Sequence, residues 1–452
     1  MRHTTLPTHA RIRAREHATD ARSAKAFKAQ SVALAYSNFR HHAALDAYDE
    51  ADTAVSFPVT RWRSKVQEIV SSGDVVLVLT LGGVCAAFSG KKRLCFLNIA
   101  PDEVIRSLFC NKVANAIITV SVAKEQNCCS LKCRSTPVDC IRRGQPEAGV
   151  PIFTTESLRF PGFVEFDDVN GKALTYACAA RSKQYRVWSM ANYEPLFSLP
   201  SEEVTEVKIS PGIMLLVHSR QGAYIPLKIV SIETGEVLKD FQYLIRRSKK
   251  VEFIELFNEK LLVKQEGENL DIMDVHDGTV VNVSKTEFLT PSAFIFLYEH
   301  NHFLTFRGRS VTCWNFLGEP VTSFEDHALW HFETNPSNVF ITSDQDYIMS
   351  YCQPKPPAIE HVVSAQEDEE QQQPSHYHGG EEVAAAATGA AAAGRVRGTI
   401  HVSHVLTGKC IARLGGGEHG IDMGDVTCMH FSEERHELYV GNRQGVIHVW
   451  SQ

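Results

Sequence analysis

Four cysteines are the residues of this sequence with the clearest capacity for metal chemistry. Cys128, Cys129 and Cys133 in the stretch NCCSLKC, followed by Cys140, place four thiols within 13 residues. Thiolates are preferred zinc ligands, but a zinc module needs a second ligand pair roughly 12–20 residues beyond the first, and none follows here. Cysteines on a strand with alternating burial explain the cluster more simply. We therefore expect no metal site and no cofactor.

Nucleophilic and phosphate chemistry lack the residue spacing that they require. The 20 histidines are scattered along the chain, no G-x-S-x-G stretch occurs, and the pair His376 and His378 lies in a polar tract. The stretch SGKKR (89–93) lacks the first glycine and the four-residue spacing of a P-loop. The sequence therefore predicts no catalytic residue and no nucleotide site, and we expect that the protein is not an enzyme.

One run of basic residues is the best candidate for contacts with a partner. The run RRSKK falls in the linker between two strand-rich units, and the shorter run KKR (91–93) falls in a predicted hairpin turn. Clustered cations on a loop favour an acidic partner or nuclear import, whereas solvated charges that keep the loop soluble are the simpler alternative. The candidate partner-binding residues are Arg246, Arg247, Lys249 and Lys250.

The composition is that of a globular protein with a large core. The chain has 452 residues, of which 44% are apolar and 22% are charged, and its net charge is −7. An acidic balance disfavours nucleic acids and anionic membranes as partners. No stretch approaches the ~20 apolar residues of a membrane span. We therefore expect other proteins or peptides as partners, with no membrane association and no small-molecule substrate.

The cysteine distribution and the N-terminal composition favour an intracellular protein. Most of the 12 cysteines lie inside apolar runs, as Cys85 and Cys428 do, where a reduced cysteine serves as a small core residue. The first residues lack the apolar core of a signal peptide. Residues 1–30 are rich in Arg and Ala, as organelle transit peptides are, but Glu16 and Asp20 argue against that alternative. The sequence favours the cytoplasm, the nucleus or both.

Short strands are the main elements that must position these residues. Beyond residue 53 the sequence consists of short apolar runs between Gly, Asn, Asp and Pro, such as DVVLVLT and GIMLLVHS, which indicates an all-β fold. Residues 9–49 are the one long helical candidate, because Val32, Tyr36 and Phe39 recur at helical spacing. We therefore predict an N-terminal helical extension over residues 1–50.

A repeat runs through the strands. Each of four segments contains a strand end, a tight turn with glycine and another strand. The segments are VSIETGEVLKDF, MDVHDGTVVNV, WNFLGEPVTSF and SHVLTGKCIARL, and their turn glycines are Gly235, Gly278, Gly318 and Gly408. The glycines are 43, 40 and 90 residues apart, and the last interval falls to 46 residues without the tract 354–397. A period of roughly 40–46 residues with four short strands is typical of a β-propeller.

Three tryptophans at the ends of third strands carry a resemblance to a known superfamily. They are Trp188 in YRVWSM, Trp314 in VTCWNF and Trp450 in IHVWSQ. With them, and with His419 near the position of a Gly-His pair, residues 53–452 resemble the WD-repeat β-propeller superfamily in divergent form. The superfamily prefers Asp after each Trp, and the residues found there are Ser189, Asn315 and Ser451. The resemblance therefore implies a propeller whose blades have an incomplete internal hydrogen-bond tetrad.

A propeller must close its ring, because an open ring exposes unpaired strand edges. The last unit supplies three strands, near 426–431, 437–441 and 445–450, and lacks a fourth. We predict that AVSFPVTRW (54–62) completes its sheet. The other units lie near 65–97, 102–154, 158–199, 203–244, 250–288, 291–326 and 328–414. Together with the shared unit they make eight blades, whereas the resemblance favours seven, so both numbers stay open.

The predicted fold is an all-β, seven- or eight-bladed propeller closed by an N-terminal strand, with an N-terminal α-helix. The WD-repeat-like propeller spans residues 53–452. The tract 354–397, with EDEEQQQ and two alanine runs, has too little apolar surface to offset the entropy cost of ordering. We predict that it is a disordered acidic, Gln- and Ala-rich insertion within the propeller.

A rigid ring with many short loops suits the binding of several proteins or peptides at once. We therefore expect a non-enzymatic protein–protein interaction scaffold that is a subunit of a larger intracellular complex. The alternative is an enzyme or small-ligand binder that uses the central channel of the propeller. Titratable groups that converge on a channel pocket would favour the alternative, and polar patches on loops would favour the scaffold. The fold alone does not decide between them.

Overall fold

Eight four-stranded antiparallel sheets make up nearly all of the computed structural model. The structure describes residues 34–48, 63–123, 131–154, 158, 163–167, 169–179, 182–200, 203–219, 222–257, 259–324, 329, 338–352, 398–415 and 421–452. Each sheet is one blade of a ring, and consecutive blades follow one another along the chain. This all-β, eight-bladed propeller confirms the predicted fold class and decides between seven and eight blades.

The first four blades use β2 to β17. Blade 1 contains β2 (Val66–Ser72), β3 (Val75–Thr80), β4 (Cys85–Ser89) and β5 (Lys92–Phe96). Blade 2 contains β6 (Glu103–Asn111), β7 (Ala116–Ala123), β8 (Leu131–Pro137) and β9 (Val150–Ile152). Blade 3 contains β10 (Phe163–Asp167), β11 (Lys172–Ala179), β12 (Ser182–Ser189) and β13 (Pro195–Pro200). Blade 4 contains β14 (Val204–Ser210), β15 (Ile213–His218), β16 (Tyr224–Ser231) and β17 (Val237–Arg246).

The remaining blades use β18 to β32 together with β1. Blade 5 contains β18 (Val251–Phe257), β19 (Lys260–Gln265), β20 (Leu270–Asp274) and β21 (Val280–Val283). Blade 6 contains β22 (Ala293–Leu297), β23 (His302–Arg307), β24 (Ser310–Asn315) and β25 (Pro320–Ser323). Blade 7 contains β26 (Val339–Ile341), β27 (Tyr347–Cys352), β28 (Thr399–His404) and β29 (Cys410–Leu414). Blade 8 contains β30 (Val426–Ser432), β31 (Glu437–Asn442), β32 (Val446–Ser451) and β1 (Arg40–Asp46).

Helical structure is short in the described part of the chain. Helix α1 (Val138–Arg142) and a 3-10 turn (Pro146–Ala148) connect β8 to β9, and one helical turn at 34–37 precedes β1. None of the described helices has the length and apolar character needed to cross a membrane. Residues 353–397, which contain the predicted insertion, lie outside the described residues.

The second strand of a blade is covered on both faces. All six side chains of β3, which reads VVLVLT, are buried, and the same holds for β27, which reads YIMSYC. A continuous apolar run is expected for such a strand, because both of its faces meet neighbouring blades instead of solvent. The outer strands contrast with this pattern, since Val237 and Leu238 of β17 are both about half-exposed. The hydrophobic core therefore lies between adjacent blades.

The repeated turns have the backbone conformation that their glycines allow. Gly235, Gly278, Gly318 and Gly408 all have φ between +64° and +80°. A Cβ on Gly318 would also lie 2.2 Å from Cγ2 of Val283, on the outer strand of the preceding blade. Glycine is needed at this turn both for the left-handed φ and for the close approach between blades. The predicted repeat of tight glycine turns is confirmed.

The three repeat tryptophans are buried, but they do not share one hydrogen-bond pattern. Trp188 and Trp314 each donate an Nε1–H to a threonine hydroxyl at 2.8 Å, namely that of Thr175 or Thr305. Trp450 has no such bond, and the position that corresponds to these threonines on β31 is Val440. Blades 3 and 6 therefore share a Trp–Thr hydrogen bond, which Val440 cannot form in blade 8 because its side chain has no acceptor.

The ring closes through β1, which pairs with β32 and forms the outer strand of blade 8. Ala44 lies opposite His448, and Leu45 lies opposite Ile447. Closure by an N-terminal strand is confirmed, but the segment predicted for it, 54–62, is wrong. The helix predicted over 9–49 is also wrong where the chain forms β1, because pairing with the free edge of β32 satisfies these backbone groups. Residues 1–33 and 49–62 lie outside the described residues.

Polar contacts hold blade 8 against blade 1. The Tyr48 hydroxyl donates to Thr80 Oγ1 at 2.9 Å and lies 2.8 Å from Ser64 Oγ. Arg63 Nη2 forms an ion pair with Asp46 Oδ2 at 2.6 Å. These contacts surround the end of β1, so closure rests on side-chain hydrogen bonds as well as on strand pairing.

Candidate partner-binding surface

The predicted basic loop joins the outer strand of blade 4 to the inner strand of blade 5. Its backbone is fixed by the side chain of Gln265, which is buried. Gln265 Oε1 accepts the Arg246 N–H at 3.0 Å, and Gln265 Nε2 donates to the carbonyl oxygens of Arg246 at 2.7 Å and Lys249 at 3.2 Å. One buried amide therefore holds both ends of the turn, so the loop is ordered without its basic side chains.

The four predicted basic residues do not present equal charge. Arg246, Arg247 and Lys250 are exposed, whereas Lys249 is half-buried and forms an ion pair with Glu268. Arg247 is oriented by its backbone N–H, which donates to the Ala223 carbonyl oxygen at 2.8 Å. The structure therefore brings three exposed cations together on one loop and assigns Lys249 to an internal contact.

Two tyrosines lie on the strands that lead into this loop, Tyr224 on β16 and Tyr243 on β17. The pairing of β16 with β17 shifts register between Ile225 and Leu227, and a bulge in β17 turns Tyr243 outward. Tyr243 is 77% exposed, and its ring packs edge to face on Tyr224 with the centroids 5.4 Å apart. Tyr224 lies opposite Arg246 in the strand register. We define the Tyr243 patch as Tyr224, Tyr243, Arg246, Arg247 and Lys250.

Sequence reasoning missed the two tyrosines of the patch. Phe241, Tyr243 and Ile245 alternate along β17, a pattern that predicts one shared buried face. Ile245 is buried, but the bulge breaks the alternation at Tyr243. A run of DFQYLIRR has no glycine or proline to announce a bulge, so no local signal was present to identify Tyr243.

A polar cavity lies beside the patch. It has a volume of about 360 Å³ and lies where β17 meets blade 5. Arg246 and Lys285 line it together with Asp271, which accepts a hydrogen bond from Asn282 Nδ2 at 2.6 Å. The cavity therefore contains both charge signs, and the excess positive charge lies on the exposed loop and not inside the cavity.

The described cysteines of the NCCSLKC cluster lie on different sides of blade 2. Cys133 is buried among residues that pack against blade 3, and burial raises the pKa of its thiol to about 12. Cys140 belongs to α1, whose Val138 and Ile141 pack against blade 1. Among the described residues, no group of three or more His, Cys, Asp or Glu side chains is placed to hold a metal ion. Cys128, Cys129, His376 and His378 lie outside the described residues.

The chain matches one family model and is similar to several solved structures. The family model described as "Domain of unknown function (DUF7899)" matches residues 24–450. None of the curated proteins matches the chain. Solved structures that are similar include the computationally designed protein Ika8, with 14% identity, a TM-score of 0.48, and coverage of 86% of this chain and 97% of that one.

Two natural proteins are also similar in structure. BamB from Moraxella catarrhalis has 11% identity and a TM-score of 0.45, with 92% of this chain and 98% of that chain covered. The Pan2 WD40 domain of Neurospora crassa has 10% identity and a TM-score of 0.39, with 92% of this chain and 95% of that chain covered. At such identities and scores the likeness carries no functional argument, and the architecture rests on the strand pairing described above.

Proposed function

We propose that this chain, which belongs to the DUF7899 family, is a non-enzymatic protein–protein interaction scaffold. We further propose that the Tyr243 patch binds acidic segments of its partners. The observation that carries the proposal is the combination of an exposed tyrosine with three exposed cations on a loop whose backbone is already fixed. Tyr and Arg are the residues that most often dominate binding energy in protein interfaces. The Gln265 contacts lower the ordering entropy that a flexible loop would lose on binding.

The charge of the patch selects the chemistry of the partner. The whole chain has a net charge of −7, so a local set of three cations stands out against an acidic background. Long-range repulsion disfavours strongly acidic proteins as a class, whereas a short acidic segment is attracted at close range. An acidic residue next to an apolar side chain suits the patch best, because the exposed Tyr243 ring packs on Tyr224, which lies opposite Arg246 in the strand register.

A second candidate function places a ligand or a reaction at the inner strands that surround the channel. Burial raises the pKa of Glu68, on β2, to about 7, a range in which a carboxyl group can exchange protons at neutral pH. Glu68 Oε2, however, accepts the Leu108 N–H of blade 2 at 3.3 Å, and Lys208 of blade 4 pairs with Glu255 of blade 5 at 2.7 Å. Such contacts join inner strands of adjacent blades and explain these groups structurally, so we favour the scaffold.

Further parts of the proposal concern family relation and location. The Trp–Thr hydrogen bonds of blades 3 and 6 support a relation to WD-repeat propellers in divergent form. The buried, reduced cysteines Cys85, Cys313 and Cys428 support a reducing compartment, the cytoplasm or the nucleus. In this proposal the protein is one subunit of a larger intracellular complex.

The test selects partners first and then measures affinity. Peptides that represent natural protein segments are displayed on phage and selected on the full-length protein. The enriched peptides are then titrated against wild type and Tyr243→Ala. We expect enrichment of Asp and Glu, and a loss of affinity of at least tenfold in the variant, because the exposed ring and the adjacent cations are contacted together.

The control is Arg443→Ala, which removes an exposed arginine of blade 8 that faces Asp425 at 3.5 Å. This variant is expected to keep the wild-type affinity. The proposed surface is contradicted if the selected peptides show no enrichment of Asp and Glu. It is also contradicted if wild type and Tyr243→Ala bind the peptides with equal affinity. Raising the salt concentration gives a further readout, since affinity for an exposed cationic patch falls with ionic strength.

A further inference from the structure

A second cationic group lies in the interface between blades 1 and 2. Arg134, on β8, is 8% exposed, and its Nη2 donates to the carbonyl oxygen of Leu97. In the strand register Arg134 lies opposite Thr119 on β7 and Pro151 on β9. Thr136 is two residues further along β8 and therefore shares the same face. This face carries Ile117, which packs with residues of blade 1, so Arg134 faces blade 1.

Several polar atoms on this face have no hydrogen-bond partner among the described residues. They are Arg134 Nε, Arg134 Nη1, Thr119 Oγ1 and Thr136 Oγ1, and all four are buried. Buried polar groups are hydrogen-bonded in the great majority of cases, because an unpaired group loses its hydration without compensation. Three neighbouring side chains on one sheet face therefore have polar atoms that a bound molecule, water or ligand, would pair.

A cavity borders Arg134, which is one of its lining residues. It has a volume of about 450 Å³, and its lining includes the polar residues Arg134, Ser121 and Lys132 and the apolar residues Ile99, Pro151 and Phe153. Gly149 borders it, and a Cβ there would lie 2.3 Å from Thr136 Oγ1 and 2.9 Å from Arg134 Cδ. The missing side chain thus leaves room for the arginine stem and for the threonine hydroxyl.

We propose that this cavity binds a small organic carboxylate with an apolar body, and that the Arg134 guanidinium is the group that binds the carboxylate. A guanidinium N–H forms a strong, charge-assisted hydrogen bond to a carboxylate oxygen, and Arg134 Nε and Nη1 both lack an acceptor among the described residues. The apolar lining takes the body of the ligand, and the volume falls within the range of small-molecule sites. The site does not depend on the Tyr243 patch.

Glu103 affects how tightly the cavity binds an anion. It also lines the cavity, but its Oε2 accepts the Ile99 N–H at 2.7 Å and makes no hydrogen bond to Arg134. A negative charge in the cavity lowers the affinity for an anion. Replacing Glu103 by Gln is therefore expected to strengthen carboxylate binding, an effect opposite in sign to the replacement of Arg134.

The test uses the unbranched alkyl carboxylates from butanoate to decanoate, with the corresponding primary amides as uncharged matches. Binding to the full-length protein is measured by calorimetry and by ligand-observed NMR. We expect at least one carboxylate to bind at least tenfold more tightly than its amide. Arg134→Met is expected to abolish the preference for the carboxylate over its amide. Glu103→Gln is expected to increase the affinity for the carboxylate. Lys132→Gln, which removes an exposed cation from the same strand, is expected to reduce that affinity less than Arg134→Met does.

Three results overturn the inference. The first is that no carboxylate in the series binds, and the second is that acids and amides bind equally to wild type. The third is that Glu103→Gln lowers stability and leaves carboxylate affinity unchanged, which means that Glu103 itself is the partner of Arg134 in solution. Thermal unfolding of every variant shows that loss of binding is not loss of folding.

Discussion

Blade 1 meets blade 8 on one face and blade 2 on the other, and the two interfaces differ in how completely their buried polar groups are paired. Between blades 8 and 1, Tyr48 bonds Thr80 and Ser64, and Thr427 Oγ1 donates to the Val66 carbonyl oxygen at 2.6 Å. Between blades 1 and 2, Arg134 and two threonines have atoms without a hydrogen-bond partner in the described part of the chain. The first interface pairs these polar groups within the protein, whereas the second has polar atoms that a bound molecule, water or ligand, would pair.

The comparison teaches that closure and ligand binding occupy different interfaces of the same ring. Closure depends on two distant parts of the chain, so its polar contacts must already be made within the protein. The interface of blades 1 and 2 is formed by consecutive segments and by α1, and its apolar contacts include Val138 and Ile141.

The largest expected effect comes from weakening the closing strand. Leu45 of β1 is 4% exposed and packs with residues of blades 8 and 1. Leu45→Ala should lower the free energy of unfolding by about 3 kcal/mol, because it removes apolar contacts and leaves a cavity. Leu34→Ala, at a residue that is 61% exposed, is the control and should change stability little. Urea titrations of both variants measure the difference, and equal effects would show that β1 does not close the ring.

The next largest effect is a loss of stability in acid at the same interface. His430 Nε2 of β30 lies 2.8 Å from Ser71 Oγ of β2, and burial lowers the pKa of His430 to about 4. The unfolded chain takes up this proton near its ordinary pKa of about 6.5. The contribution of neutral His430 to the free energy of unfolding is therefore fully present above the unfolded pKa. It is lost as the pH falls through the folded pKa, by roughly 3 kcal/mol in total.

Urea titrations between neutral pH and pH near the folded pKa test this expectation on wild type and His430→Gln. The variant should lose part of the slope of stability against pH, because glutamine keeps a polar contact to Ser71 without a titrating group. An unchanged slope would mean that His430 does not titrate as its burial implies.

The smallest effects give the sharpest contrast between the two interfaces. Tyr48→Phe should lower the free energy of unfolding by about 1–2 kcal/mol, since it removes hydrogen bonds to Thr80 and Ser64. Arg134→Met should leave stability unchanged or raise it, because it removes a buried charge whose donors are partly unpaired. Thermal unfolding of both variants decides the contrast. A larger loss for Arg134→Met than for Tyr48→Phe would assign Arg134 a structural role.

The sequence is sufficient to locate the blades but not the strand that closes them. The glycine turns at Gly235 and Gly318 and the apolar runs between them are local patterns, and the strands follow them closely. The segment RHHAALD has helix-favouring alanines and leucine, yet it forms β1. Pairing with β32, more than 400 residues away, overrides that propensity, and no local pattern encodes such a contact.

The candidate sites show the same limit. The basic run is visible in the sequence, and its position between two units is confirmed. The separation of Lys249 from the other cations depends on Glu268 across a turn, and the exposure of Tyr243 depends on a bulge. Arg134 reads as an ordinary polar residue of a strand, and only the packing of two blades reveals its unpaired atoms.

The central claim is that the Tyr243 patch is a surface for acidic segments of other proteins. The most direct measurement places a photo-crosslinking amino acid at position 243 of the full-length protein in native cells, with position 298, where Tyr298 is 40% exposed, as the matched control. We predict crosslinks from position 243 to acidic segments, and their loss when Arg246 and Arg247 are both changed to Ala. Crosslinks that map to non-acidic segments, that persist in the double variant, or that occur equally from position 298 would contradict the claim.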